Sequence, residues 1–500
     1  MSEEIVILGG GLAGLVAALK LVQRDFHVTL YEARDRLGGK AGSDRKPQLY
    51  DANFEPSSDT LKDGVESDHG YHLFPGWYVN MYRLWKEIGL DQDTECYPGW
   101  GPRNLKPHDG RYEFLDDDPY TGRARITLLD LLTRPDEEVE DRTLKGFLNS
   151  RFYNSIGSVS FGRLLLNALT IREYDVSARS IRNVFLQWFP VMETMPSWVA
   201  LRGSLGRVFI DRIEAAIRRY AEKGRGSFTL KLNTRVTSLD VQDGRLVVTV
   251  EGEEEPIRDK LVLLALPQEV LRALNNDALY ALDPAFGRLQ YLRSNSFGAL
   301  DVYFDGEIPE LPREHFRLLD SQHALTAFAI HHHWPELKEH YPGHSVLQFV
   351  AGDCSAFDEL SAVGFLKAIT QEIRKYVPEV ADRVKYYIPH QNNDAPLFVN
   401  DVGIWDYRPT NRSRIPGVYL AGDFVQHSTE VASMEGAVRS GLDAAELIRL
   451  QHAAHTPSVE ILPPLDPGES WRLKFRLAMP FIRSYAWLRY RVPEYLNLSA

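Results

Sequence analysis

Hydrophobic residues come in short bursts at the start of the chain. Residues 4–8, Glu-Ile-Val-Ile-Leu, read as a short buried strand. Residues 12–24 then carry Leu15, Leu19 and Val22 at helical spacing, and residues 28–31 form a second apolar burst. Strand, helix and strand in immediate succession predict a βαβ opening. From about residue 110 to 224 the period turns mainly helical, with apolar residues so spaced in 162–169, 180–189 and 205–223. At Phe228 it changes again. Segments 228–232, 235–241, 245–251 and 256–265 read as successive strands, with hairpin turns at Gln242-Asp243-Gly244 and Gly252-Glu253-Glu254. Strand-like runs at 299–304 and 346–350 precede a helix at 365–376. A strand at 417–420 and a helix at 433–450 follow, and a proline-rich link, 457–467, leads to a tail of different character.

Length and charge narrow this picture. Single cores stop growing near roughly 250–300 residues, so a 500-residue chain predicts two lobes. A formal charge of −12 excludes a general affinity for nucleic acid, which needs a surplus of Lys and Arg. Cys96 and Cys354 lie far apart and suit small buried apolar positions in a reducing compartment, not a disulfide framework. The start of the chain lacks a cationic stretch followed by a long apolar one, and no run of 18 apolar residues occurs anywhere. Neither a secretory signal nor a membrane-spanning helix is expected, and the cytoplasm is the expected location.

The turn after the first strand reads Gly9-Gly10-Gly11-Leu12-Ala13-Gly14, in which Gly9, Gly11 and Gly14 fit G-x-G-x-x-G. One glycine permits the tight turn, one lets backbone approach a pyrophosphate, and one lets helix and strand pack closely. The following helix would aim its free N–H groups and positive dipole end at the phosphates. Glu32, at the end of the second strand, can accept hydrogen bonds from ribose hydroxyls. NAD would fit as far as this. The segment Arg34-Asp35-Arg36-Leu37-Gly38-Gly39-Lys40 favours FAD. A second glycine pair lets backbone run beside a cofactor that extends past its adenosine half, and Lys40 could reach phosphate.

A flavin ring also needs holding, often by distant sequence. Val418-Tyr419-Leu420-Ala421-Gly422-Asp423 is a strand ending in Gly-Asp, which places an aspartate near ribityl hydroxyls or pyrophosphate. Ala432-Ser433-Met434-Glu435-Gly436-Ala437 then opens a helix whose N-terminus would stabilise negative charge on a reduced ring.

These blocks, together with Gly70-Tyr71-His72-Leu73-Phe74-Pro75-Gly76-Trp77-Tyr78, resemble the flavin amine oxidase superfamily, and within it the plant and cyanobacterial type of phytoene and ζ-carotene desaturase. The resemblance covers roughly residues 4–450. It implies an α/β fold in which a Rossmann-type FAD-binding domain (1–100, 225–275 and 405–450) interleaves with an α+β substrate domain (101–224 and 276–404), ahead of a tail at 451–500. It further implies that Val236 lies at the adenine, that Gly70, Tyr71 and His72 pass close to the isoalloxazine, and that Ala265-Leu266-Pro267 returns the chain toward the cofactor. The cofactor site is thus assigned to Gly9, Gly11, Leu12, Ala13, Gly14, Glu32, Ala33, Arg34, Gly38, Gly39, Lys40, Gly70, Tyr71, His72, Val236, Gly422, Asp423, Met434 and Ala437.

Three further features carry chemistry. His69 and His72 are candidate proton-transferring residues, against a plain role in lining the pocket. His331-His332-His333 resembles a metal tract, but consecutive strand residues alternate faces and cannot converge on one ion, so no metal is expected. His332, with Trp77 and Tyr78, is instead a candidate for contact with substrate. In the tail, 471–491 holds six basic residues and no acidic one. A helix there would gather Trp471, Phe475, Ala478, Ile482 and Tyr485 on one side and Arg472, Arg476 and Arg483 on the other, with a kink at Pro480. Such a segment suits a membrane surface, at 470–491, or packing on the body.

The expected function is an FAD-dependent desaturase or dehydrogenase acting on a large apolar, isoprenoid or carotenoid-like molecule, with hydride transfer to flavin N5 and a quinone or oxygen as final electron acceptor. The alternatives are a flavin-dependent polyene isomerase without net oxidation and a non-catalytic FAD-containing lipid-binding protein.

Overall fold

The computed structural model describes residues 3–99, 103–108, 111–115, 121–150, 175–192, 194–196, 198–309, 311–313, 315–319, 321–352, 357, 359–392, 396–492 and 496. Its architecture is α/β. Five parallel strands form one sheet in the order Val418–Leu420, Leu261–Leu264, Glu4–Leu8, His27–Tyr31, Ser227–Lys231. The first strand is central and buried on both faces. Ile5 and Ile7 face the helices Leu12–Val22, Asp211–Lys223 and Met434–His452, while Val6 and Leu8 face the opposite core beneath the hairpin Val236–Gln242 and Arg245–Val250. That two-sided burial is why the strand is almost continuously apolar instead of alternating.

A second sheet of seven strands runs in the order Val384–Gln391, Gly298–Phe304, Val346–Ala351, Leu325–Phe328, Phe316–Leu318, Arg103–His108, Arg111–Leu115. Its pairs are antiparallel except for Phe316–Leu318 with Arg103–His108. Leu300, Val302 and Phe304 pack on the helix Ala362–Ile373, and Tyr303 faces the other way, among Trp198, Phe328 and Tyr386. A helical layer containing Thr121–Leu132, Leu144–Asn149 and Ala178–Trp188 has its own apolar core.

Several expectations change. The region after residue 110 is not helical from its start, because Arg111–Leu115 pairs with Arg103–His108 and extends the second sheet. The sequence between them, Asp109-Gly110, is a strong hairpin signal that outranks the helical period around it. The run 256–265 does not fold back on 245–251. Only Val248 and Ile257 bridge, and the strand shortens to Leu261–Leu264, inserted between Glu4–Leu8 and Val418–Leu420. A bare apolar run reads alike as a hairpin arm or a central parallel strand, and burial on both faces decides for the latter. Likewise Ser227–Lys231 pairs with His27–Tyr31 and does not join the hairpin that follows it. His331 and His332 lie in a 3₁₀ turn, Ile330–His332, and not on a strand. The expected helix at 162–169 and Cys354 lie outside the described residues, while Cys96 is buried.

Candidate cofactor and active site

Gly9 ends the first strand with φ +109°, and a Cβ there would lie 2.5 Å from the Ala265 carbonyl oxygen. A Cβ on Gly14 would lie 2.2 Å from the Gly9 carbonyl oxygen, so this glycine lets the helix close on the strand. Gly11 differs. Its φ of −72° suits any residue, and a Cβ would meet only Gly39 Cα, at 4.0 Å. Protein packing does not demand glycine at this position. The residue lines the main cavity, and the missing side chain leaves the helix N-terminus open to a ligand phosphate.

Glu32 organises the turn. Its carboxylate accepts from the Gly10 N–H at 2.8 Å and from the Arg34 N–H at 2.9 Å. The second glycine segment is bonded to the first, Gly38 N–H to Gly10 carbonyl at 2.9 Å. The two run side by side along a cavity of about 650 Å³. Gly9, Leu12, Ala13, Glu32, Ala33, Arg34, Gly38, Gly39 and Lys40 line it with Gly11, and so do Gly70, Tyr71, His72, Val236, Gly422, Asp423, Met434 and Ala437. Of the residues assigned to the cofactor only Gly14 stands behind the wall.

The cations are arranged otherwise than expected. Lys40 Nζ donates to the Pro396 carbonyl at 2.6 Å and lies 3.0 Å from Glu269 Oε1, so its charge is already matched by protein. Arg36 was overlooked in the same segment. Its Nη1 is buried without a hydrogen-bond partner among the described residues, and burial with the nearby Arg34 charge depresses its pKa. Arg36 is half-buried beside Gly42 and is not among the residues that line the cavity.

The far wall is held by Arg408, also missed in the sequence. It is 1% exposed and donates to the carbonyls of Asp423 at 2.8 Å, Phe424 at 2.9 Å, Val425 and Glu430 at 2.9 Å, and to Asn400 Oδ1 at 3.3 Å. This one side chain ties down the loop between Val418–Leu420 and Met434–His452. Burial lowers its pKa to about 10, which still leaves it charged at neutral pH. Ser433 caps the second helix, accepting from the Gly436 N–H at 3.0 Å. Glu435 points away from solvent and accepts from the Asn80 N–H, the Asn80 amide and the Met81 N–H at 2.8–3.0 Å. Burial raises its carboxyl to about 7.

His69 and His72 both line the cavity, with ring centroids 4.8 Å apart, edge to face. Burial drives His69 well below the usual imidazole pKa and His72 to about 4, so both are neutral. His72 Nδ1 is shielded and unpartnered among the described residues. Tyr71 turns its hydroxyl into the second sheet, 2.7 Å from His315 Nε2. Below these residues lie two buried acids. Asp68 accepts from the Ser43 hydroxyl and the Leu205 N–H, and Asp301 accepts from the Ser67 hydroxyl at 2.6 Å. Burial raises Asp68 to about 7 and Asp301 to about 8.

Trp77 and Tyr78 stack edge to face at 4.6 Å on the cavity wall, with Val184, Trp188, Trp198 and Phe297 extending the apolar surface. His332 is not on that wall. It stacks on His331, whose Nδ1 is held at the Val346 backbone, and His333 Nε2 donates to the Arg313 carbonyl at 2.9 Å.

A family model described as flavin containing amine oxidoreductase matches residues 12–449. The ζ-carotene desaturase of Synechocystis sp. is 23% identical, over 90% of this chain and 98% of its own. The 15-cis-phytoene desaturase of Synechococcus elongatus is 25% identical, over 89% of this chain and 95% of its own. Among solved structures, cyclohexylamine oxidase from Brevibacterium oxydans superposes with a TM-score of 0.65 at 15% identity, covering 90% of this chain and 99% of that one, and so shares the fold.

Proposed function

Because the chain belongs to the flavin containing amine oxidoreductase family and is an FAD-dependent oxidoreductase related to carotenoid desaturases, we propose that it dehydrogenates a large apolar, isoprenoid or carotenoid-like substrate. The observation that carries this reading is the character of the cavity beyond the cofactor turns. Its wall is Trp77, Tyr78, Val184, Trp188, Trp198 and Phe297. Two of the acids that line the cavity are ion-paired, Asp175 with Arg293 at 3.1 Å and Glu269 with Lys40 at 3.0 Å. An ammonium substrate would find no free counter-charge at these two positions, whereas a hydrocarbon needs none.

FAD supplies a hydride acceptor at N5 when bound. In this reading the segments of the parallel sheet hold the cofactor and those of the seven-stranded sheet hold the substrate. Gly9, Gly11 and the start of Leu12–Val22 would take the pyrophosphate, while Glu32 would take ribose and Val236 would flank adenine. Gly422, Asp423, Met434 and Ala437 hold the ribityl and ring end. Gly70, Tyr71 and His72 border the ring. Trp77 and Tyr78 orient the substrate and exclude water. Dehydrogenation takes two hydrogens from neighbouring carbons of the substrate, one as a hydride that bound flavin would accept and one as a proton. His72, whose neutral ring lines the cavity, is the candidate acceptor for that proton, with His69 packed against it. A quinone or oxygen removes the electrons afterwards. We place the enzyme in the cytoplasm, at a membrane surface. Among the described residues no helix is long and apolar enough to cross a membrane.

The test is anaerobic mixing of the FAD-loaded protein with C40 polyenes in detergent, following flavin absorbance and product mass. Bleaching with loss of two hydrogens is expected. Isomerised product from pre-reduced enzyme, with no hydrogens lost, would replace this reading with a polyene isomerase. Neither change, with any apolar extract tried, would leave a lipid-binding flavoprotein.

A further inference from the structure

The helix Glu469–Ala486, continuing through Trp487–Arg491, lies beyond the matched family region. It is docked on the body through residues of both sides, Trp471 from the apolar one and Arg483 from the basic one. Arg483 reaches Asp130, whose side chain is fully buried, at 2.6 Å, and Arg472 pairs with Asp466 and Glu469. Met479 and Ala486 are buried, and Trp471 packs on Phe189 with ring centroids 4.4 Å apart. Arg483 thus turns inward because Asp130 on the body receives it, while Arg472 is paired within the tail.

The opposite face is apolar and uncovered. Leu473, Leu477, Phe481 and Tyr485 recur every fourth residue, and Leu488 continues the row. Leu477 is 67% exposed and Phe481 78%. Seven of the fourteen large apolar side chains exposed among the described residues lie after residue 472, which makes this a patch and not scatter. Lys474, Arg476 and Arg489 surround the row, and none forms an ion pair among the described residues.

We propose that residues 469–491 form an interfacial helix that seats Leu473, Leu477, Phe481, Tyr485 and Leu488 in the acyl region of a bilayer and sets Lys474, Arg476 and Arg489 against anionic headgroups. Charge selects the occupant. A second copy docked face to face would oppose the same cations to themselves, whereas an anionic lipid surface meets the apolar row and the cations together. The whole chain carries −12, so the local excess of cations is a property of this segment and not of the molecule. The inference deepens the apolar-substrate reading in one respect and rests on it there. Trp471 packs on Phe189, the neighbour of Trp188 on the cavity wall, so lipid contact lies close behind the substrate end.

The experiment is flotation of the full-length FAD-loaded protein with phosphatidylcholine vesicles, with and without phosphatidylglycerol, for wild type, Leu477→Glu/Phe481→Glu and Lys474→Glu/Arg476→Glu. Both residue pairs are exposed, and retained flavin absorbance reports an intact fold. Wild type should float with anionic vesicles and be released by salt. The first variant should lose binding by roughly tenfold or more, and the second should lose mainly the preference for anionic lipid. Wild type that stays unbound on every vesicle, or a Leu477→Glu/Phe481→Glu variant that floats as well as wild type, overturns the proposal. So does a wild-type dimer in gel filtration that this variant dissociates, which would assign the face to a second copy. Flavin bleaching by detergent-dispersed polyene is scored separately, so loss of vesicle binding with normal bleaching leaves the catalytic reading standing.

Discussion

Glu32 and Gly10, 22 positions apart, are joined by a 2.8 Å hydrogen bond from backbone N–H to carboxylate. The carboxylate assigned to ribose is therefore also the clamp that shapes the phosphate turn, since its second oxygen holds the Arg34 N–H. Glu32→Ala should weaken FAD binding by about 10- to 100-fold, the loss of one or two charge-assisted hydrogen bonds. Titration of FAD into the apoprotein measures it, and unchanged affinity would detach Glu32 from the site.

Gly11 and Gly14 separate cofactor space from packing space. Gly11→Val should leave the apoprotein Tm nearly unchanged, because a side chain there meets no protein, yet abolish retention of FAD. Gly14→Ala should lower the apoprotein Tm, because its Cβ collides with the Gly9 carbonyl. Thermal unfolding without FAD distinguishes them. A Gly11→Val apoprotein as unstable as Gly14→Ala would show that the space at Gly11 belongs to the fold.

Arg408→Met should cost about 3–5 kcal/mol, because a buried carbonyl left without its donor costs about 1–3 kcal/mol. The carbonyls of Phe424, Val425 and Glu430 lose this donor at once, while that of Asp423 keeps His427 Nε2. Urea unfolding checks this, and a loss below about 1 kcal/mol would mean that the loop holds its shape without the guanidinium.

Asp301, Asp68 and Glu435 make stability fall with rising pH. Each has a folded pKa raised by burial, to about 8, 7 and 7. Unfolded carboxyls titrate near about 4, so over the interval between the folded state holds more protons than the unfolded one. Their contribution is complete below about pH 4 and is lost progressively as pH rises toward about 8. Asp301→Asn, which cannot ionise, should gain Tm relative to wild type between pH 5 and pH 8. A difference that does not change across that range would place the Asp301 titration outside it.

What could be read in the sequence was what is local. The glycine turn, Glu32 and the second glycine pair sit within one βαβ unit, where each residue's task follows from its neighbours. Arg408 could not be read, because its acceptors are backbone carbonyls that carry no sequence signature. The pairing of Lys40 could not be read either, because its partner Glu269 lies more than two hundred residues away. The C-terminal helix was found, but its orientation depends on Asp130, 353 positions distant, and no periodicity within the helix encodes a partner elsewhere. The strand Leu261–Leu264 was found and mispaired for the same reason, since its neighbours come from the two ends of the chain.

That last pairing has a consequence for biosynthesis. The parallel sheet is completed by Val418–Leu420, and the helix Met434–His452 covers Leu12–Val22, which is made about four hundred residues earlier. A growing chain therefore holds its phosphate turn without a wall to close it until residues 418–452 have been made. Cofactor loading waits for that segment, and a chain stalled before residue 418 is expected to emerge without flavin.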